Sequence, residues 1–158
     1  VISAEDEDKH MPPEGKDQLT KEEVAILKWW IAIRAPFTDD ETPWCAGFVG
    51  GVLEECGIKS SRAASARSYL TWGMPLRAPC RGAILVFERG PKNGHVGFYV
   101  GEDKDTYYVF GGNQSDSVCI TRIAKSRLIG VRWPNGYTIP LAGPTIINSG
   151  GAVSLNEA

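Results

Sequence analysis

GAILVFERGPKNGHVGFYVGEDKDTYYVFGGN, residues 82–113, decides the fold. Three short β-branched and aromatic runs, 83–88, 95–100 and 106–110, are divided by Gly, Pro, Asn and Asp, the residues that break strands and supply turns. Runs 118–121 and 129–133 continue the rhythm, which predicts about five strands. A short acidic loop joins the second and third runs, so they form a hairpin. With Asp103, Lys104 and Asp105 as a three-residue loop, Glu102 faces Thr106 and paired residue numbers add to 208. That register sets His95 opposite Asn113, and a slip of one step brings up Gly112 or Gln114 instead.

Upstream the period changes to that of helices. Thr20-Lys21-Glu22-Glu23 reads as a capping box, with Leu19 and Val24 at the spacing of a hydrophobic staple. Val24, Leu27 and Ile31 then recur at helical spacing, and Pro36 marks the end. A loop with Asp39, Asp40 and Glu41 follows. Thr42 is a natural N-cap for a second helix and Pro43 suits its first position, so Cys45 falls at the third. Gly57 supplies the stop. Cys45, Phe48, Val49, Val52, Leu53 and Cys56 form one stripe, which turns Cys45 toward the body of the domain. A shorter helix over 63–72 ends near Gly73. Helices first and strands after predict an α+β fold, with the N-terminal helices packed on an antiparallel sheet. Residues 1–19 read as a flexible arm, 20–134 as the domain and 135–158 as a Gly/Pro/Ser-rich tail. There is no internal repeat.

The chain has 158 residues, 42% hydrophobic and 23% charged, with net charge −2. One domain fits that length. Basic residues are scattered, so no nucleic-acid partner is expected. No apolar run has the length of a membrane span and no signal peptide is recognisable, so no membrane partner is expected either. The first residue is Val, which reads as a processed chain or a piece of something longer. Four cysteines lack CxxC spacing and only two histidines exist, so neither metal nor cofactor is expected. Cys56, Cys80 and Cys119 read best as small buried hydrophobes.

A thiol becomes a nucleophile when its thiolate is stabilised, and the first turn of a helix does this. Of the four cysteines only Cys45 has that position. His10 lies in the arm, which leaves His95 as its base. Gly97, two residues on, leaves room for a helix end to approach. Asn113 is the residue to accept the imidazole N–H and hold the ring in one tautomer. Singly, each has a blander reading: Cys45 as core, His95 as a satisfied polar residue and Asn113 as a Gly-Gly-Asn turn former. Their conjunction favours a site. Trp29, Trp30 and Trp133 read as core; Trp44 and Trp72 stand where they can line a cleft, with core at least as good a reading. Asp39, Asp40 and Glu41 read most simply as a solvated loop.

At these residues the sequence resembles the NlpC/CHAP-type cysteine hydrolases, in their phage- and bacteria-associated branch. The resemblance rests on 40–46 (DETPWCA), 94–98 (GHVGF) and 111–116 (GGNQSD), with 64–73 and the closing Arg132-Trp133-Pro134, and spans about residues 20–134 in order. It implies a papain-like fold and hydrolysis of an amide bond in peptidoglycan, between muramic acid and the stem peptide or within the peptide. Cys45 maps to the nucleophile, His95 to its base and Asn113 to the polar third residue. Trp44, Asp40, Gln114 and Trp72 are the substrate-binding candidates. A monomer acting on the bacterial envelope follows, delivered by a route the sequence does not give. Rival readings are a wall-binding or virion structural module, an acyltransferase or deamidase with the same site, and an antibacterial effector.

Overall fold

The computed structural model describes residues 21–34 and 43–157. Helix α1 (Lys21–Ala32) gives way to a turn at Ile33 and Arg34, before Pro36 is reached. The Thr20 capping box lies outside the described residues. The buried side of α1 carries Val24, Ile26 and Trp30, continued by Ile33 in the turn, while Ile31 is 63% exposed. The expected 24/27/31 stripe is therefore rotated. Trp30 offers more apolar area than Ile31, and the helix turns to bury it.

Helix α2 (Cys45–Glu55) opens with Trp44 as its N-cap and no side-chain cap. Cys45 is thus the first helical residue rather than the third; Thr42, the expected cap, lies outside the described residues. Gly47 and Gly51 let α1 come close: a Cβ would stand 2.9 Å from the Trp30 ring at Gly47 and 2.4 Å from Trp29 at Gly51. Much of α2 is buried as a result, with Ala46 and three glycines joining Cys45, Phe48, Val49 and Leu53. Cys56, at the far end of the stripe, is exposed. Gly57 ends the helix at φ 75, and the Ile58 amide donates to Leu53 O at 2.9 Å.

The third helical segment is a 3₁₀ helix, Ala66–Thr71, shorter than the expected span. Ser68 Oγ donates to Ser65 O at 2.6 Å and Thr71 Oγ1 to Ser68 O at 3.3 Å. Such hydroxyl bonds compete with the helical backbone.

The strands are β1 (Met74–Pro75), β2 (Ile84–Arg89), β3 (Asn93–Glu102), β4 (Thr106–Gly111), β5 (Cys119–Ala124), β6 (Leu128–Trp133) and β7 (Val153–Ser154). They form one sheet in the order β1-β6-β2-β3-β4-β5-β7. Every pairing is antiparallel except β5 with β7. The fold is α+β; the five expected runs are β2 to β6, and two-residue strands extend both edges. One core lies between helices and sheet, from Trp30, Phe48, Val49, Ile84, Val86 and Val96. A second lies on the other face, from Leu85, Phe87, Tyr99, Tyr107, Val109, Ile123 and Val131.

Residues 145–157 dock on the sheet instead of trailing away. Glu102 N donates to Thr145 O at 2.7 Å and Ile147 N to Glu102 O at 2.8 Å, before β7 pairs with β5. Open strand edges carry unpaired amides and carbonyls, and this strap satisfies part of one.

Gly73 tests the closure of the other edge. At φ 60 its missing Cβ would meet Trp133 O at 2.2 Å, whereas Gly57, also at positive φ, has nothing within 4 Å. In urea unfolding, Gly57→Ala should cost about 1 kcal/mol for the left-handed backbone alone, and Gly73→Ala more than about 2 kcal/mol. Equal losses would mean that the approach to Trp133 carries no weight.

Candidate active site

His95 stands near the start of β3, paired with Phe87 of β2, and is fully buried. Its Nε2 lies 2.9 Å from Gln114 Oε1. The other end of that amide settles which atom faces the ring. Gln114 Nε2 donates to Cys119 O at 2.6 Å and to Val109 O at 3.3 Å, and carbonyls only accept. The oxygen is therefore turned to His95, so ring Nε2 carries the hydrogen and Nδ1 keeps a free lone pair. Nδ1 is buried without a hydrogen-bond partner.

Asn113 does not occupy the place the register gave it. Phe98 pairs with Phe110 and Tyr99 with Val109, which is the expected register; a bulge between Tyr99 and Gly101 shifts the loop end by one, so Glu102 pairs with Tyr107 and not with Thr106 as expected. But β4 stops at Gly111. Asn113, Ser115 and Asp116 take φ of 56, 51 and 55, so the chain curls and carries Gln114 back over Gly111. A Cβ on Gly111 would stand 2.8 Å from Gln114 Oε1 and 3.4 Å from His95 Nε2. Gln114, expected among the substrate-binding residues, is buried and holds the ring. Asn113 is a buried turn residue.

Cys45 is 3% exposed. Burial pushes its thiol pKa up; the Val96 amide, the Arg89 charge and the amides of Ala46 and Cys45 itself pull it down without overcoming burial. The expectation of a thiolate favoured by the helix start is corrected: a dry site disfavours the charge more than a helix terminus favours it. Cys45 shares the helix-side core with Val96, the residue after His95. No hydrogen bond joins sulfur and ring. Val96 and Phe98 belong to the helix-side core while Tyr99, in phase with His95, belongs to the other, so Cys45 meets β3 on the Val96 side. Arg89, at the end of β2, acts on both groups. For His95, burial lowers the pKa; Gln114 and Glu157 raise it, and Arg89 and Arg127 lower it further.

Gly97 does not admit the helix. Its absent Cβ would meet Val109 Cγ1 at 2.5 Å and Phe110 O at 3.0 Å, so it admits β4. Gly112 is the glycine that lets α2 approach, with Trp44 at 2.5 Å and Phe48 Cβ at 2.6 Å. Trp44 is core, stacked on Trp29 at 5.6 Å, and also borders a cleft of about 430 Å³ between α1 and residues 116–118. Trp72 is half-buried, donates to Lys59 O at 2.9 Å and lines a separate cleft that contains neither Cys45 nor His95. Asp40 lies outside the described residues.

All four cysteines are free; Cys80 is buried and Cys119 half-buried. Among the described residues no three His, Cys, Asp or Glu side chains converge to hold a metal, and no helix is long and apolar enough to cross a membrane. Sequence reasoning missed Arg89, Arg127 and Glu157. Glu157 is 1% exposed, with both carboxylate oxygens on the Arg127 guanidinium. Nothing in its Gly/Ser-rich surroundings signals burial. Neither a protein-family model nor a curated protein matches the chain.

Two outcomes follow from burial. Iodoacetamide at neutral pH should modify exposed Cys56 well before buried Cys45; loss of Cys45 as fast as Cys56 would contradict its placement. The second concerns pH. An imidazole whose folded pKa lies below its ordinary 6.5 binds fewer protons folded than unfolded. Its contribution is therefore complete above about pH 6.5 and is lost as pH falls toward the folded value. Stability should decline on acidification through that window, and His95→Gln should flatten the slope; an unchanged slope would show that the ring is not held neutral.

Proposed function

We propose that the chain is a thiol-dependent amide hydrolase acting on peptidoglycan, with a papain-like arrangement of helix and sheet. One observation carries the chemistry. Gln114 holds His95 in the tautomer that leaves Nδ1 as a free base, and Cys45, at a helix start, packs with Val96 of the same strand. The substrate class rests on the sequence resemblance, and the helix-then-sheet order agrees with it.

In the proposed reaction His95 Nδ1 takes the Cys45 proton as the sulfur bonds to an amide carbonyl carbon. The Cys45 N–H at the helix start helps hold the oxyanion. The C–N bond breaks, Nδ1–H protonates the leaving amine, and water cleaves the thioester. A raised thiol pKa and a lowered imidazole pKa mean that both groups are neutral at rest, so charge forms only as proton transfer and attack proceed. Because Cys45 meets β3 on the Val96 face and His95 shares the face of Tyr99, the reaction requires the start of α2 and this end of β3 to rearrange so that sulfur and Nδ1 meet.

A second reading has its own observation. With no bond between sulfur and ring and both buried, Cys45 and His95 also suit a structural module that binds cell wall without cutting it. Digestion of purified sacculi followed by mass spectrometry of the muropeptides separates the two. New amide-cleaved products are expected from the wild type. They should be lost with Cys45→Ala, fall by about 10²-fold or more with His95→Gln, and survive Asn113→Ala. Products that persist with Cys45→Ala would overturn the assignment, and none from the wild type would favour the binding module.

A further inference from the structure

Beyond β7 the strap enters the protein at Glu157, whose two oxygens accept from Arg127 Nη1 at 2.7 Å and Nη2 at 2.8 Å. The same guanidinium donates to Glu88 O, from Nε at 3.1 Å and Nη2 at 3.0 Å. Glu88 is the β2 partner of Gly94, so the ion pair stands beside the strand residue that precedes His95. From the other side, Ser115 N donates to Glu157 O at 3.0 Å, and Ser115 follows Gln114. Glu157 thus grips both halves of the His95–Gln114 pair: the strand that carries the ring, through its carboxylate on Arg127, and the loop that carries the amide, through its main-chain carbonyl on Ser115. A buried ion pair gains little over an apolar one for stability alone.

We propose that Glu157 is a positioning residue of this site: its carboxylate anchors the end of the strap on Arg127, so that its main-chain carbonyl holds the Ser115 loop, and with it Gln114, against His95. Its catalytic consequence rests on the hydrolase reading; its effect on the ring does not. The groups acting on His95 are Gln114 from the loop, Glu157 from the strap, Arg89 from β2 and Arg127 from the 3₁₀ turn at Lys125–Arg127, with the Cys45 thiol beside Val96. Glu157 is the one negative charge among them. Without it the Arg89 and Arg127 charges act on the ring uncompensated.

The test follows the His95 ring nitrogens by NMR titration in the full chain, alongside turnover. Glu157→Gln should lower the His95 midpoint by roughly half to one pH unit. It should also lower kcat about tenfold with KM little changed. Glu157→Asp, which keeps the charge, should restore most of both. If Glu157→Gln alone fails to fold around an unpaired Arg127, the double variant Arg127→Gln/Glu157→Gln removes both charges. Its midpoint should fall between the wild type and the single variant's expected value, with faster hydrogen exchange at the Ser115 amide. An unmoved midpoint would overturn the proposal. So would a rise in turnover, since the strap would then be blocking the site. A wild-type chain that cleaves nothing refutes the hydrolase reading, while the midpoint still decides what Glu157 does.

Discussion

The hydrogen bond from His95 Nε2 to Gln114 Oε1 is the contact around which this end of the molecule is organised. A buried imidazole needs a partner, and an amide oxygen supplies one without adding charge. To place that oxygen, β4 must stop at Gly111, three residues must accept positive φ, and the Gln114 nitrogen must find the carbonyls of Val109 and Cys119. The choice of tautomer is then a consequence of strand geometry. What remains is a basic nitrogen with no partner, enclosed by protein.

At Cys45 two effects compete, and their sizes decide the outcome. A helix terminus favours an anion by about 0.3–1 kcal/mol, up to about 2 where partly buried. Removing a charge from water costs several kcal/mol. Even with the amides of Val96, Ala46 and Cys45 turned to the sulfur, the thiol is the resting form. In the proposed reaction a thiolate forms only once sulfur and Nδ1 have been brought together, where thiolate and imidazolium compensate each other. The same dryness that holds the thiol neutral would strengthen that pair and any oxyanion contact.

The strap shows how one segment can serve stability and site together. Its bonds to Glu102 and its pairing with β5 cover sheet edge, and Arg122 reaches Gly151 O across the same seam. Glu157 then places a charge in the interior, where burial pushes its carboxyl up but the Arg127 contacts hold it below the ordinary carboxylate range. An edge-covering strap would need no buried carboxylate; the ion pair links it to the strand and loop on either side of His95.

The sequence by itself determined the α+β class, the five principal strands, the hairpin register at Phe98 and Tyr99 and the position of Cys45 at a helix start. These follow from local periodicity and turn chemistry, which a single chain segment carries. It misplaced what depends on contacts between segments. The buried face of α1 was set by Trp30 against Gly47, not by apolar spacing, and Gly97 proved to serve β4 while Gly112 serves α2. Register pointed to Asn113, but a turn with three left-handed residues advanced the partner by one. Arg127 and Glu157 were invisible, because an ion pair thirty residues apart has no local signature. Only the tertiary structure decided which polar groups are dry and which face one another, since desolvation and cross-chain distance exist only once the whole chain has packed.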